Sequence, residues 1–203
     1  MFQGSRSRGV GYSLLLVAST ASCGYTPLST MNALDDINPL TTPAESLRVM
    51  VAVPPVIRPQ KDAIHLMMKF AKTETLPEKR YDFVLQRTPR TPVEMRVGEK
   101  RPIYVFRINP KDVSRFNAMR KAAEKYDDGK DDDDNDLSID ANACRMTQTM
   151  PAKVPMSVYL KTAELDDYVV VVKNINAMED TAPDEIDEDF PLCTSENSET
   201  PAK

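Results

Sequence analysis

The sequence predicts a mainly β protein, an antiparallel β-sandwich-like single domain with one α-helix and disordered termini. Three observations lead to this fold class. Several short segments alternate apolar and polar residues, which is the pattern of half-buried strands. Many of the 16 prolines lie between these segments, where they separate one strand from the next. The length of 203 residues suits one domain with tails.

Seven or eight segments carry the strand pattern. In residues 64–70, for example, all the even-numbered positions are large and apolar. Successive side chains of a strand point to opposite faces, so this alternation places one apolar row on a core. The predicted strands are residues 47–53, 64–70, 81–85, 93–97, 103–108, 137–139, 154–160 and 168–172. This number of short strands favours a sandwich or barrel.

One helix is expected between strands, near residues 110–126. Asn109 followed by Pro110 is a typical helix start, because the asparagine caps and proline suits the first helical position. Gly129 provides a stop. Between these two signals, apolar residues recur every three or four positions, at Val113, Phe116, Met119, Ala123 and Tyr126. Such a stripe predicts a helix that packs on the core.

The N-terminal residues have the features of an export signal. Arg6 and Arg8 precede the apolar run Leu14–Ala18, and small residues lead from there to Cys23. A basic start, a short apolar run and a small-residue exit are typical of a secretory signal peptide. The run is too short to span a bilayer stably. The alternative is a frayed N-terminal helix of a cytosolic protein.

The stretch from Val17 to Cys23, VASTASC, resembles the lipobox of bacterial lipoprotein precursors. In that class the cysteine thiol receives a diacylglycerol, the signal is cut just before the cysteine, and the new amino group is acylated. Ala21 and Ser22 fit the motif, whereas Thr20 stands where the family usually has Leu or another aliphatic residue. The resemblance implies lipidation at Cys23 and a membrane anchor of three acyl chains, which holds far better than one chain.

Gly24 follows the cysteine. In the Gram-negative lipoproteins that this stretch resembles, Asp at that place favours inner-membrane retention. The resemblance therefore implies a protein anchored in the outer membrane and facing the periplasm. The alternative is ordinary cleavage after Ala21, which would release a soluble periplasmic protein.

Composition divides the chain into four regions. We expect a signal peptide over residues 1–22, a lipid-anchored tether over 23–45, the β-sandwich-like domain over 46–176 and a disordered acidic tail over 177–203. The tail has nine acidic residues against one lysine. Since it lacks the apolar surface that offsets the entropy of ordering, its last residues are expected to contribute little to stability.

Two cysteines remain besides Cys23, and they form a possible disulfide. An exported chain enters an oxidising compartment, where Cys144 and Cys193 can pair. The closed loop would contribute roughly 4 kcal/mol by chain entropy. Two unpaired thiols are the other possibility, and the sequence alone does not decide between them.

Positive charge is concentrated in the first part of the predicted domain. Residues 47–125 contain 18 Lys and Arg against 8 Asp and Glu, so 18 − 8 gives a net charge of +10. Arg96, Lys100 and Arg101 are the candidate anion-binding residues, for anionic envelope polymers, lipid phosphates or an acidic envelope protein. The alternative is that the protein's own acidic loop, residues 127–140, and its acidic tail neutralise these basic strands.

Several function classes are disfavoured. His65 is the single histidine, and no nucleophile motif accompanies it, so we expect no catalytic residues, no enzyme and no cofactor. The acidic loop departs from calcium-loop spacing, because Asp136 occupies the glycine place and Asn142 the bidentate Glu place. No metal site is therefore predicted, a weak cation site in this loop being the alternative. Export and the lack of a recognisable motif argue against nucleic acid.

The sequence thus predicts a membrane-anchored envelope lipoprotein with a structural role or a role in protein or polymer interaction. The alternative function is a lipoprotein subunit of a secretion or polysaccharide-export assembly. A third hypothesis, an enzyme acting on envelope polymers, is disfavoured because no converging set of reactive side chains is evident.

Overall fold

The structure is a computed structural model that describes residues 42–70, 76–91, 94, 97–123, 136–179 and 181–199. The predicted signal peptide, its Cys23 and most of the predicted tether lie outside these residues. Most of the acidic loop, residues 127–135, lies outside them as well.

Seven strands and two helices form the described part of the chain. The strands are β1 (Arg48–Ala52), β2 (Ile57–Phe70), β3 (Lys79–Thr88), β4 (Ile103–Ile108), β5 (Asp136–Arg145), β6 (Pro155–Lys161) and β7 (Val169–Asn176). A 3-10 turn, Pro110–Asp112, leads from β4 into helix α1 (Val113–Ala123). A short helix α2 (Ile186–Asp189) follows β7.

All seven strands belong to one curled antiparallel sheet, in the order β5-β2-β3-β4-β1-β6-β7. This confirms the predicted mainly β, antiparallel, single-domain fold. The strands form one sheet because β3 pairs with a different strand along each half of its length. Its first half, residues 79–84, pairs with β2, and its second half, residues 85–88, pairs with β4.

The sheet is covered on both faces at its centre. The larger core lies on the inner face and includes Val49 and Val51 of β1 together with residues from α1. A smaller core lies on the second face, formed by Met50, Ala52, Ile103, Val105, Tyr159 and Tyr168. Strand β1 is therefore buried on both sides, which explains its continuous apolar run.

The predicted helix is present and lies on the inner face. Asn109 Oδ1 accepts a hydrogen bond from the backbone N–H of Lys111 (3.1 Å), as the capping signal predicted. Phe116 and Met119 are fully buried, and the Phe116 ring lies 5.3 Å from the ring of Phe83 in β3. The apolar stripe thus packs on the core, in edge-to-face contact with the sheet.

The strand predicted at residues 93–97 is not seen at its two described residues. Glu94 has helical geometry, and Val97 lies in a turn whose backbone N–H donates to the Glu94 carbonyl (3.4 Å). The Glu94 carboxylate accepts hydrogen bonds from both the backbone N–H and the hydroxyl of Thr91. These local bonds replace a strand ladder.

The prediction of a disordered tail is wrong for residues 181–199, which are ordered against the sheet. We call these residues the C-terminal strap. A disulfide joins Cys144 at the end of β5 to Cys193 in the strap. Further along, the carbonyl of Asn197 accepts a hydrogen bond from Lys61 (3.1 Å), and Glu199 N–H donates to Pro59 (3.0 Å). A covalent bond and backbone pairing hold this segment, although its composition offers little apolar surface.

Candidate anion-binding surface

Three basic residues stand side by side on the second face of the sheet. Arg48 of β1 is in register with Arg107 of β4 on one side and with Lys161 of β6 on the other. Directly opposite residues of antiparallel strands bring their Cβ atoms to about 4.5–5.5 Å. We call these three residues the cationic row.

The row continues the pattern of the second-face core. Arg48 lies two residues before Met50, Arg107 two residues after Val105, and Lys161 two residues after Tyr159. The three cations therefore lie where this small core ends. All three are only partly exposed, as is usual where the aliphatic stems of basic side chains cover the edge of an apolar cluster.

Backbone carbonyls orient two of these cations without neutralising them. Arg48 Nη1 donates to the carbonyls of Glu45 (2.6 Å) and Leu47 (2.9 Å). Lys161 Nζ donates to the two carbonyls of residues 165–166, at 2.6 and 2.9 Å. Within the described residues, neither cation forms an ion pair. Their positive charge is thus held in place and remains available to an anion.

Arg107 has the weakest partner of the three. Its Nη2 donates to Gln86 Oε1 at 3.4 Å, a long hydrogen bond. Its Nε is buried and has no hydrogen-bond partner among the described residues. Like charges placed directly opposite each other repel, so Arg107 and Arg48 destabilise one another unless an anion lies between them.

A cleft of about 350 Å³ adjoins the row. It is lined by Glu45, Ser46, Arg48, Thr91, Glu94, Lys161, Thr162 and Ala163. Two members of the cationic row therefore also line this cleft. Seven of these eight residues carry a charged or hydroxyl-bearing side chain, which provides partners for a polar ligand.

Glu94 is the buried carboxylate of the cleft, only 4% exposed. Its Oε1 accepts a hydrogen bond from the Tyr168 hydroxyl (2.6 Å), and its Oε2 accepts one from Thr91 N–H (2.5 Å). Burial raises the pKa of Glu94, but the hydrogen bonds from Thr91 and Tyr168 outweigh burial and hold the pKa below its ordinary value. Glu94 is therefore ionised at neutral pH.

Of the three candidate anion-binding residues, the structure describes Lys100 and Arg101, and Arg101 is held in an ion pair. Arg101 is enclosed by Glu99, with Nη2 to Oε2 at 2.7 Å and Nε to Oε1 at 3.0 Å, and it also donates to Ser157 Oγ (2.8 Å). Lys100 is exposed beside it, and Arg96 lies outside the described residues. Arg101 is thus a structural ion-pair partner, because its donors are already used within the fold.

Glu99 is strongly stabilised in its ionised form. The side-chain hydrogen bonds from Arg101 are the main cause, and they lower the pKa of Glu99 to about 2 despite its partial burial. The hydroxyl of Tyr159 also donates to Glu99 Oε2 (2.9 Å). This cluster covers the second-face core and holds no spare positive charge.

The strap neutralises two further arginines. Arg145 Nη1 lies 2.5 Å from Asp187 Oδ1, and Arg87 Nη1 lies 3.5 Å from Glu199 Oε2. Arg87 belongs to the basic segment, residues 47–125, so its pair with Glu199 is the internal neutralisation that the alternative interpretation expected, whereas Arg145 lies outside that segment. The cationic row is not reached by these carboxylates.

His65 pairs with a carboxylate on the outer side of the sheet. Its Nδ1 lies 2.7 Å from Asp82 Oδ1, and Asp140 of β5 stands opposite it in register. Across the described ranges, no group of three or more His, Cys, Asp or Glu side chains is placed to hold a metal ion. His65 therefore has the partners of a structural surface pair.

Comparison of the chain with protein-family models, curated proteins and solved structures found no match. In the part of the chain that the structure describes, no helix is long and apolar enough to cross a membrane.

Proposed function

We propose that this protein is an exported, lipid-anchored envelope protein whose folded domain binds an anionic envelope polymer through the cationic row. The observation that carries the proposal is the register of Arg48 with both Arg107 and Lys161. The N-terminal lipobox-like stretch ending in Cys23 supports the anchor. The proposal moves the anion-binding surface away from the region around Arg101.

The energetics of the row favour an anion. The hydrogen bonds of Arg48 and Lys161 go to neutral backbone carbonyls, so no ion pair within the described residues offsets the mutual repulsion of the charges in register. An anion bound across the row removes that repulsion and gains charge-assisted hydrogen bonds. Relief of the like-charge repulsion present in the unbound protein therefore makes anion binding more favourable.

The spacing of the row suits a repeating anion. Adjacent strands lie about 4.7–4.9 Å apart, so Arg107 and Lys161 are separated by roughly 10 Å across β1. An extended polymer with phosphates or carboxylates on neighbouring units can contact all three cations. The predicted lipid anchor at Cys23 would keep the domain near the membrane, where such polymers are concentrated.

The binding claim is tested by replacing the row with amides. The variant Arg48→Gln, Arg107→Gln, Lys161→Gln is compared with a control, Lys111→Gln, Lys121→Gln, Lys173→Gln, which loses the same charge at exposed positions elsewhere. Co-sedimentation with lipopolysaccharide and with peptidoglycan is measured at low salt and at about 0.3 M salt. Melting curves establish that both variants are folded.

We expect salt-sensitive binding by the wild-type protein and by the control. At low salt the row variant should bind about tenfold more weakly than the wild-type protein, because each lost charge removes an electrostatic attraction. At about 0.3 M salt the difference should be smaller, because salt screens that attraction. Equal binding by wild-type protein and row variant would overturn the proposal.

The anchor is tested separately with Cys23→Ser in the full precursor. The substitution should abolish acylation and move the protein out of the membrane fraction. A wild-type mature protein that begins at Ser22 and carries no lipid, as measured by mass spectrometry, would contradict the proposed anchor and leave the binding claim standing.

A further inference from the structure

The cleft beside the cationic row contains fixed charges of both signs. Arg48 and Lys161 supply the positive charges, and the buried Glu94 supplies a negative one. Exposed Glu45 adds a second carboxylate to the lining. A ligand with a single charge would be attracted by one part of this wall and repelled by another.

Donors remain unused on the positive side of the cleft. Arg48 uses Nη1 for two backbone carbonyls, and within the described residues its Nε and Nη2 have no partner. Lys161 makes two hydrogen bonds, whereas an ammonium group has three protons to donate. A ligand carboxylate can therefore bind both side chains without breaking any contact of the fold.

Thr162, another residue of the cleft, has a hydroxyl group without a hydrogen-bond partner among the described residues. The residue lines the cleft and is only 1% exposed. A buried hydroxyl without a partner is unfavourable, and folded proteins rarely keep one. A polar ligand in the cleft would satisfy this hydroxyl.

We infer that the cleft binds a small zwitterion, the α-ammonium and carboxylate of a free amino acid or a short peptide. The carboxylate would bind Arg48 and Lys161, and the ammonium group would face Glu94. The volume of about 350 Å³ lies at the lower end of small-molecule sites, which suits a ligand of about two residues.

This inference goes beyond the proposed function, because it concerns a small zwitterion and not a polyanion. The two ligands share Arg48 and Lys161. Arg107 belongs to the row but does not line the cleft, so it distinguishes one binding event from the other.

The first experiment titrates the mature full-length protein with the dipeptide alanyl-alanine in a calorimeter. Two analogues of the same size remove one charge each: the N-acetyl dipeptide lacks the ammonium, and the dipeptide amide lacks the carboxylate. We expect each analogue to bind about tenfold more weakly than the dipeptide, because each loses one charge-assisted contact. No binding of the dipeptide, or equal binding of all three, overturns the inference.

The second experiment uses variants that should fold. Thr162→Val removes the unpartnered hydroxyl and keeps the shape of the side chain, so it should keep or raise the melting temperature of the unbound protein and weaken dipeptide binding about fivefold. Thr149→Val, at an exposed threonine in the loop after β5, is the matched control and should bind as the wild type does. Unchanged dipeptide binding by Thr162→Val would contradict the assignment of this hydroxyl to the site.

Arg107→Gln separates this inference from the proposed function. It should weaken polyanion binding while changing dipeptide binding by no more than about twofold, since Arg107 is outside the cleft. If polyanion binding is lost in the row variant but the wild-type protein fails to bind the dipeptide, only the cleft inference is overturned. If the dipeptide binds and polyanions do not, only the proposed function is overturned.

Discussion

Arg145 Nη1 lies 2.5 Å from Asp187 Oδ1, and this ion pair ties α2 of the strap to the end of β5. The Arg145 side chain is 8% exposed, whereas that of Asp187 is 84% exposed. A buried cation is thus neutralised by a carboxylate at the surface. The neighbouring disulfide between Cys144 and Cys193 holds the same junction covalently.

Replacing Asp187 by Asn should destabilise the protein modestly. The buried guanidinium of Arg145 would lose its charged partner, but water reaches the Asp187 position and compensates in part, so we expect a loss of about 1 kcal/mol. Urea unfolding measures it. Asp184→Asn, at another exposed position before α2, should change stability much less. Equal effects of the two substitutions would show that the ion pair contributes nothing.

The end of the strap should contribute to stability, contrary to the expectation for a disordered tail. A chain that stops after Glu196 loses the backbone hydrogen bonds of residues 197–199 with β2 and the ion pair of Glu199 with Arg87. We expect a loss of about 2 kcal/mol, at roughly 1 kcal/mol for each backbone hydrogen bond. A chain that stops after Glu199 keeps these bonds and is the control. The same melting temperature for both chains would contradict the packing of the strap.

Glu99 should make the protein sensitive to acid. Its folded pKa of about 2 lies below the ordinary value of 4.5, so its ionised form stabilises the fold above pH 4.5. That contribution is lost as the pH falls from 4.5 towards 2. Its size is on the order of 2 kcal/mol, since the carboxylate is largely shielded from solvent.

Glu99→Gln should lower stability at pH 7 and flatten the stability curve between pH 4.5 and 2. Unfolding free energies measured across this range test the expectation. Glu78→Gln serves as the control, because Glu78 pairs with Arg80 at an exposed position. A pH dependence that is the same in wild-type protein and Glu99→Gln would rule out Glu99 as its source.

Arg107→Gln should keep or raise the stability of the unbound protein at low salt. The substitution removes a like-charge pair with Arg48 and leaves a long hydrogen bond as the main loss. The expected gain is a few tenths of a kcal/mol and should vanish near 1 M salt, where charges are screened within about 3 Å. Clear destabilisation at low salt would show that Arg107 is needed by the fold.

Most of the fold could be predicted from local patterns. The even-numbered residues of 64–70 are buried as their alternation predicted, and Asn109 caps the turn before α1 as its position before Pro110 predicted. These features depend on neighbours a few residues away. The strap could not be predicted from composition, because its backbone pairing and disulfide involve residues far away in sequence.

The candidate site depends on strand order and register, which local sequence does not encode. Arg48 and Arg107 are far apart in the chain, and each follows an ordinary strand pattern. The excess of positive charge over residues 47–125 was a usable signal, but it pointed to Arg101, which the fold pairs with Glu99. To predict the cationic row, one would need to know that β1 pairs with β4 and with β6.

The proposed function requires the cationic row to be the surface that binds anions. The most direct measurement is an NMR titration of the isotope-labelled mature protein with a short polyphosphate, followed through backbone amide shifts. We expect the largest shifts to cluster at Arg48, Arg107 and Lys161 and to disappear as salt rises. Shifts centred on the lysines of α1 and its preceding turn, or no shifts at low salt, would contradict it.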